Sequence, residues 1–321
     1  MKKSFKFLNN KDISLSNINF DNTPKNNIRN KLRDIFDYYL RRPFYRVLYK
    51  NFFNKQKYKI DLVLPSKGFS DLARKNKLNE FSKIKGKNIL IIGCGNGQDS
   101  LNLLRFEPKS IKGIDMLNYS QSWTRIKKYI KDNNFKTKIE FKKQNILYLS
   151  NKIKYDFIIS DAVFEHLIEF KKIIKFLSTI LKKNGIIYSS YGPLWYCFAG
   201  DHFSGRDQLQ NGYNHILLDK KEYKKYFEKN VGSIMYEINQ EGSAGILVKK
   251  NLFSKLNGNE YMKTYNQNNL FSLYTILEYC PIGFDLLKKN KVLKKKILKK
   301  KTYLNFEDLY LKTHIVYLKK K

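Results

Sequence analysis

Residues 88–100 read Asn-Ile-Leu-Ile-Ile-Gly-Cys-Gly-Asn-Gly-Gln-Asp-Ser, and this stretch decides the fold class of the 321-residue chain. Four consecutive apolar residues, 89–92, predict a short buried strand. Residues 98–106 have the spacing of a helix. Between them lie three glycines at alternate positions, Gly93, Gly95 and Gly97. A strand, a glycine-rich turn and a helix together place backbone N–H groups and a helix N-terminus against a ligand.

An acidic residue follows this turn at an informative distance. Asp115 lies 20 residues after Gly95 and ends a second apolar run, 111–115. In dinucleotide-binding folds, an acid about 20 residues after the glycines binds a ribose hydroxyl. Those folds usually space the glycines Gly-x-Gly-x-x-Gly, whereas here the third glycine comes one residue early. The pattern therefore indicates that the protein binds a nucleoside. Its glycine turn is one residue shorter than that of the usual dinucleotide-binding fold.

Further strands and helices alternate along the chain. Such alternation predicts a parallel doubly wound α/β sheet that binds ligands at the carboxyl ends of its strands. A helix is predicted over residues 171–182 and another over residues 259–268. After the first two strands, the further predicted strands are 138–141, 155–160, 185–190, 270–278 and 313–318.

These motifs resemble those of class I S-adenosylmethionine-dependent methyltransferases. The compact glycine triplet and Asp115 are similar to the family's first two motifs, and residues 161–167 (Asp-Ala-Val-Phe-Glu-His-Leu) resemble its Ser-x-Ala-Val-Leu-Glu-His signature. The resemblance covers residues 87–191 well and the rest loosely. It implies a Rossmann-like, seven-stranded doubly wound sheet with the last strand antiparallel at its edge. A nicotinamide or flavin enzyme, and a related fold without a ligand, are the alternatives.

The resemblance also implies S-adenosylmethionine as the cofactor and assigns residues to it. The family often has an acid after the third strand that accepts a hydrogen bond from the adenine amino group, and Asn145 stands at that position. Its amide oxygen can accept the same bond without charge. The predicted cofactor-binding residues are Gly93, Cys94, Gly95, Gly97, Asp99, Asp115, Met116, Asn145, Ile146 and Asp161.

A long aromatic and glycine-rich segment follows the fifth predicted strand, from Tyr191 to His215. Long loops in compact domains are usually functional or disordered, and this one is too aromatic for disorder. It resembles segments of bacterial methyltransferases linked to surface-polysaccharide and sugar modification. An O-methyltransferase for a sugar or glycan precursor is therefore expected.

Transfer to a hydroxyl needs a general base, and histidine suits that task near neutral pH. His202 is the first candidate and His215 the second. Asp161 is expected to bind the substrate or the cofactor, or to cap the following helix. His166 is expected to pack the start of a helix, and His314 to be uninvolved. No metal site is predicted.

The composition leaves other functions open. The formal net charge of +35, from 63 basic and 28 acidic residues, favours nucleic acid or an anionic membrane surface as a partner. Only nine of the basic residues are Arg, however, and the abundant Lys, Asn and Ile share A/T-rich codons. The alternatives are therefore an RNA methyltransferase and a non-catalytic binding module. Adenine or cytosine amino groups are not favoured as acceptors, since no Asn/Asp-Pro-Pro-Tyr segment follows the fourth strand.

Four segments are expected along the chain. The first is an N-terminal helical lid, within which residues 27–53 have helical periodicity. Lysines crowd residues 288–301, where an amphipathic basic helix is expected, either solvated or lying on anionic lipid. The segments are 1–85 (lid), 86–192 (cofactor-binding core), 193–257 (substrate-facing loop and helical insertion) and 258–321 (completion of the sheet).

The hydropathy, the N-terminal residues and the cysteines of the sequence indicate in which cellular compartment the protein is expected. No run approaches the roughly 18 apolar residues of a membrane-spanning helix. The N-terminus starts with lysines but lacks the apolar stretch of a signal peptide. The three cysteines are widely spaced and favour neither disulfides nor a zinc site. A cytoplasmic protein is therefore expected, with peripheral contact to the inner membrane surface as an option.

Overall fold

The computed structural model describes residues 60–63, 71–234 and 244–321, and the chain divides into two compact units. The described part of the first unit is residues 71–149. The second unit holds the short strand β1 (Ile60–Val63) and the described residues from Ser150 onward. Most of the segment predicted as an N-terminal lid, including its helical stretch 27–53, lies outside the described residues.

The first unit has a parallel sheet in which β3 pairs with β2 on one side and with β4 on the other. The four apolar residues 89–92 in β2 are at most 3% exposed. A strand that is buried on both faces of a sheet has a continuous run of apolar residues in its sequence. This pattern predicted β2. In chain order the unit contains α1 (Asp71–Phe81), β2 (Asn88–Ile92), α2 (Gln98–Leu104), β3 (Ser110–Asp115), α3 (Ser120–Asp132) and β4 (Lys138–Lys143).

Helix α3 covers this sheet with one apolar stripe. Trp123, Ile126, Tyr129 and Ile130 are buried, and their spacing of three and four residues places them on the same face. The sheet accommodates an aromatic ring next to this stripe because Gly113 in β3 has no Cβ. A Cβ there would lie 2.6 Å from Cδ1 of Phe141.

The second unit has a mixed sheet with the strand order β1-β7-β8-β6-β5. Strands β5 and β6 are parallel, and β1 is parallel to β7, whereas β8 runs antiparallel to both of its neighbours. After β1 the strands are β5 (Tyr155–Asp161), β6 (Leu181–Tyr191), β7 (Leu270–Tyr279) and β8 (Leu311–Lys320). The helices are α4 (Phe170–Ile180), α5 (Asn214–Leu217), α6 (Lys220–Ile234), α7 (Ala244–Lys249), α8 (Gly258–Gln267), α9 (Pro281–Lys289) and α10 (Lys291–Lys300).

The prediction of a Rossmann-like α/β fold with an antiparallel last strand is confirmed. Each of the seven predicted strands is present, and the described residues add β1 as a further short strand. The predicted place of the last strand at the sheet edge is wrong, because β8 lies between β6 and β7. Its buried residues on both faces, 314–318, suit an inner strand.

The lysine-rich segment forms two helices rather than the single helix predicted. Helix α9 ends at Lys289, and Asn290 caps α10 because its side chain accepts a hydrogen bond from the Leu293 N–H at 2.9 Å. Ile297 anchors α10 in the core at 0% exposure, whereas Val292 is 79% exposed. Within the described ranges, no helix has both the length and the apolar character needed to span a membrane.

Candidate active site

The glycine-rich turn of the first unit follows β2 and is tied to β3. The N–H groups of Gly93 and Cys94 both donate to the Ile114 carbonyl, at 2.9 and 3.0 Å. Gly93, Gly95 and Gly97 have φ values of 66°, 48° and 88°. Because side chains with a Cβ rarely adopt this left-handed region, the alternating glycines are needed for the shape of the turn.

Two of these glycines differ in what lies beside them. A Cβ on Gly97 would lie 2.8 Å from Cδ1 of Ile126 and 2.9 Å from Cζ of Phe141, so Gly97 is needed for packing. A Cβ on Gly95 would meet nothing within 4 Å. Gly95 therefore borders open space, which is where a ligand can approach the backbone of the turn.

The Asp115 carboxylate connects the end of β3 to this turn. Its Oδ2 accepts a hydrogen bond from the Gly95 N–H at 2.8 Å, and its Oδ1 accepts one from the Leu117 N–H at 2.9 Å. The Trp123 indole N–H donates to the Gly95 carbonyl at 2.8 Å, so the two peptide groups that flank the Gly95 Cα are each held by a side chain. A carboxylate offers about four lone-pair positions, so two remain for the hydroxyls of a ribose.

Met116 follows Asp115 and is 61% exposed, so an apolar side chain stands beside the carboxylate. Ligand sites are lined mostly by apolar side chains with a few polar groups, so Met116 is suited to contact an adenine ring. Open space at Gly95, free acceptor positions on Asp115 and the exposed Met116 together fit a purine nucleoside such as S-adenosylmethionine.

The other predicted cofactor residues of this unit have mainly structural contacts. The Asn145 side chain accepts from the Leu147 N–H at 2.9 Å and thereby caps the 3₁₀ turn Ile146–Tyr148. Ile146 is 7% exposed and belongs to the core. Asp99 lies in the first turn of α2, where a negative charge is favourable. Burial raises the pKa of the Cys94 thiol to about 12, so Cys94 is a small neutral side chain in the turn.

Asp161 belongs to the second unit and ends β5. Its Oδ1 accepts a hydrogen bond from the Tyr188 hydroxyl at 2.7 Å. The suggested capping role is wrong, because Val163 occupies the N-cap of the following 3₁₀ turn and Glu169 that of α4. A role of Asp161 toward substrate or cofactor stays a prediction.

The second unit brings His166 and His202 together, although 35 residues separate them in the chain. The centroids of their rings are 5.1 Å apart, and Phe253 packs against both, at 5.3 and 5.8 Å. His166 Nδ1 lies 2.9 Å from the Leu252 carbonyl. Since a carbonyl only accepts, Nδ1 carries the proton and Nε2 keeps its lone pair.

His202 has a free nitrogen in this pair. Its Nε2 is buried and has no hydrogen-bond partner among the described residues. Burial, with His166 adding to it, lowers the pKa of His202 to about 4, so the imidazole is neutral at pH 7. His202 has a φ of 64°, a strained backbone conformation that often occurs at functional sites.

Glu165 adjoins this pair, and the sequence analysis did not select it. Its side chain is 2% exposed, and its Oε1 accepts from the Gly192 N–H at 2.9 Å. Its Oε2 is buried without a partner among the described residues. Burial raises the pKa of Glu165 to about 8. A signal was present in the sequence, since Glu165 directly precedes His166 in the family-like motif.

His215 and Asp201 have structural contacts within the long loop. His215 Nε2 lies 2.7 Å from the Trp195 carbonyl, and Nδ1 lies 3.8 Å from Asp201 Oδ1. Asp201 is fully buried and accepts hydrogen bonds from the backbone N–H groups of Phe203 and Ser204, at 3.1 and 2.8 Å. His215 Nδ1, like His202 Nε2, is buried without a hydrogen-bond partner among the described residues, but its ring is held by the Trp195 carbonyl and lies beside Asp201.

Comparison with known proteins relates this arrangement to one family. The profile described as "Methyltransferase domain" matches residues 67–230, just over half of the chain. This range includes the glycine turn, Asp115, and the Glu165–His166–His202 cluster.

Two curated proteins and one solved structure are similar to parts of the chain. The tRNA U34 carboxymethyltransferase of Campylobacter fetus is 30% identical over 137 residues, which is 42% of this chain and 46% of that protein. The ubiquinone biosynthesis O-methyltransferase of Pelagibacter ubique is 34% identical over 105 residues, 33% of this chain and 42% of that protein. The chain thus spans less than half the length of these curated relatives. An S-adenosylmethionine-dependent methyltransferase structure from Mesorhizobium loti is 11% identical at a TM-score of 0.44, covering 76% of this chain and 96% of the other.

Proposed function

The chain belongs to the methyltransferase domain family, with S-adenosylmethionine as its cofactor, and from this premise we propose that it methylates a hydroxyl group of a sugar or glycan precursor. The observation that carries the cofactor part of this proposal is the hydrogen bond from the Gly95 N–H to Asp115, because it fixes the turn beside open space where a nucleoside can bind. The neutral, unpartnered His202 supports a hydroxyl as the acceptor.

The residues of the first unit hold the cofactor. Asp115 accepts the ribose hydroxyls, and the turn at Gly95 lets the nucleoside approach the backbone. S-adenosylmethionine supplies a methyl group bonded to a positively charged sulfur. Much of the acceleration of such a displacement comes from positioning of the reactants, which needs rigid contacts. The indole of Trp123 provides such rigidity by binding the Gly95 carbonyl.

A hydroxyl acceptor must also lose its proton as the new bond forms. In the metal-free protein we assign this role to Nε2 of His202, which is neutral and has no competing partner within the described residues. The Leu252 carbonyl and Phe253 hold the neighbouring His166 in place. General base catalysis of this kind contributes about 10²–10⁴-fold to a rate.

The loop after β6 supports a carbohydrate as the acceptor. Trp195 stays partly exposed, packs against Phe253 with ring centroids 4.9 Å apart, and has Lys255 Nζ over its ring at 4.6 Å from the centroid. An aromatic face is suited to the C–H face of a sugar ring, and small-molecule sites commonly combine such faces with a few polar groups. The similarity to an O-methyltransferase, the ubiquinone enzyme, also favours oxygen over carbon or nitrogen.

Two measurements test the proposal in order. Isothermal titration calorimetry with S-adenosylhomocysteine should show binding at one site per chain. Radiolabelled S-adenosylmethionine should then transfer its label to nucleotide sugars or lipid-linked glycans in the presence of the protein. Absence of both cofactor binding and a thermal shift would reject the methyltransferase proposal and favour a non-catalytic module.

A second candidate function is methylation of RNA. The net charge of +35 and the similarity to a tRNA-modifying enzyme favour it. Retention on a polyanion does not discriminate, because any basic protein is retained. The discriminating experiment is label transfer to total tRNA at moderate salt, since non-specific phosphate binding weakens steeply as salt rises. Transfer to tRNA, without transfer to glycans, would replace the sugar proposal.

A further inference from the structure

We propose that Glu165, His166 and His202 form a binding site for one divalent transition-metal ion. One possible ligand atom of each residue lies within 4.8 Å of the others. The inference goes beyond the proposed function, and the ion can be measured without any methyl acceptor.

Two side-chain atoms of this cluster that could ligate an ion are buried and unsatisfied. Glu165 Oε2 and His202 Nε2 have no hydrogen-bond partner among the described residues. Buried polar atoms are nearly always paired, so each such exception needs an explanation. An ion bound by both atoms provides one, because it replaces the missing partners of a carboxylate and an imidazole at once.

The surrounding groups orient the ligands as metal sites require. His166 donates its Nδ1 proton to the Leu252 carbonyl, which leaves Nε2 as a lone-pair donor. Glu165 Oε1 is held by the Gly192 N–H, which leaves Oε2 free. Metal-binding histidines almost always donate their other N–H in this manner, and ligating carboxylates are hydrogen-bonded too. Phe253 adds an apolar wall against both rings.

The distances fit an ion after a small adjustment. Metal–nitrogen and metal–oxygen bonds of about 2.0–2.2 Å place two ligands on one ion no more than about 4.3 Å apart. The possible ligand atoms of the three residues lie up to 4.8 Å from one another. This upper bound exceeds the limit for two ligands on one ion by about half an ångström. Binding of an ion at that upper limit therefore requires these side chains to move closer together.

The ligand types select the class of metal. Two neutral imidazoles and one carboxylate suit Zn²⁺, Mn²⁺, Fe²⁺, Co²⁺ or Ni²⁺, whereas Mg²⁺ and Ca²⁺ prefer oxygen ligands. Three protein ligands leave at least one coordination position open. A hydroxyl bound there would have a lower pKa, and in this state Nε2 of His202 is a ligand and no longer the base.

The test uses the untagged full chain, dialysed against EDTA and titrated with Co²⁺. We expect visible absorption bands that saturate at one equivalent and disappear on competition with Zn²⁺. Glu165→Gln keeps the shape of the side chain and should weaken Co²⁺ binding at least about a hundredfold, since losing an outer partner alone costs about 10–100-fold. His202→Ala should do the same.

Matched controls keep the result interpretable. Glu169→Gln makes the same chemical change on an exposed carboxylate, and His215→Gln changes a histidine outside the cluster. Both should bind one equivalent of Co²⁺ normally. Circular dichroism verifies that each variant is folded. The proposal is overturned if the wild-type chain shows no saturable Co²⁺ spectrum, or if folded Glu165→Gln and His202→Ala bind as the wild type does. Cofactor calorimetry is independent of this outcome and reports on the proposed function separately.

Discussion

Asp115 and Gly95 are 20 residues apart in the chain and are joined by a hydrogen bond of 2.8 Å from the Gly95 N–H to Asp115 Oδ2. The bond ties the glycine turn after β2 to the end of β3. It holds the peptide of Gly95 in place and leaves acceptor positions on the carboxylate for a ligand. The shape of the cradle and its ability to bind a ribose thus depend on the same side chain.

Replacement of Asp115 by Asn is expected to weaken cofactor binding. Asparagine has one acceptor oxygen and cannot satisfy both the Gly95 and the Leu117 N–H groups with equal strength. Hydrogen bonds to a charged group contribute about 1.5–3 kcal/mol, so we expect at least a tenfold loss of affinity. Calorimetry with S-adenosylhomocysteine measures it. Asp132→Asn, at an exposed position in the same unit, should bind normally, and an unchanged Kd for Asp115→Asn contradicts the proposed cradle.

Gly95→Val is expected to abolish cofactor binding. The new side chain would occupy the open space beside the turn and would force valine into the left-handed region, at a φ of 48°. Gly86→Val is the matched control, because Gly86 has a φ of 73° and also borders open space. Both substitutions should lower stability, by about 1–2 kcal/mol for the backbone conformation. Only Gly95→Val should lose the heat of S-adenosylhomocysteine binding. Equal binding by both variants would show that the ligand lies elsewhere.

His202→Ala is expected to separate binding from turnover. The cofactor affinity should stay within about twofold, whereas turnover should fall at least about a hundredfold, the lower range for a lost general base. His215→Gln is the comparison, because its contacts are with Trp195 and Asp201 of the loop. That variant should lose about 1 kcal/mol of stability and keep its turnover per folded molecule. Near-normal turnover of folded His202→Ala would remove His202 from the mechanism.

Asp308 is expected to make the stability of the second unit depend on pH. Its carboxyl is 3% exposed, and burial raises its pKa from 3.8 to about 7. The folded state therefore binds the proton more tightly than the unfolded state. The stabilisation is complete below about pH 4 and is lost as pH rises through 7.

The Asp308→Asn variant tests this dependence directly. Asparagine has no proton to lose, so its stability relative to wild type should increase between pH 4 and pH 7 and then level off. Urea denaturation of both proteins across this range measures the difference. Asp285→Asn makes the same substitution at an exposed position in α9 and is the matched control. A constant difference between Asp308→Asn and wild type would mean that the carboxyl has its ordinary pKa.

The sequence was sufficient to predict much of the fold. A strand covered on both faces reads as an apolar run, which is why β2 was predictable, and the six later predicted strands are also present near the expected positions. The proximity of the glycine turn and Asp115 also followed from local pattern, because adjacent parallel strands end at the same edge. These features depend on short segments in which the pattern of apolar and glycine residues reflects local burial and backbone conformation.

The features that the sequence did not predict depend on contacts between distant segments. Periodicity shows that β8 is a buried strand, but it does not reveal that β6 and β7 are its neighbours. The Glu165–His166–His202 cluster forms only because the loop after β6 returns to the 3₁₀ turn Phe164–His166. The break at Asn290 depends on one side-chain cap within an otherwise uniform run of lysines.

The position of β8 has a consequence for how the second unit is made. Strands β6 and β7 are synthesised before β8, yet each of them pairs with β8. Until then the nascent chain carries two unpaired strand edges, which are prone to association with other chains. The sheet of this unit can therefore be completed only after β8 has been synthesised, whatever the order in which its other strands form.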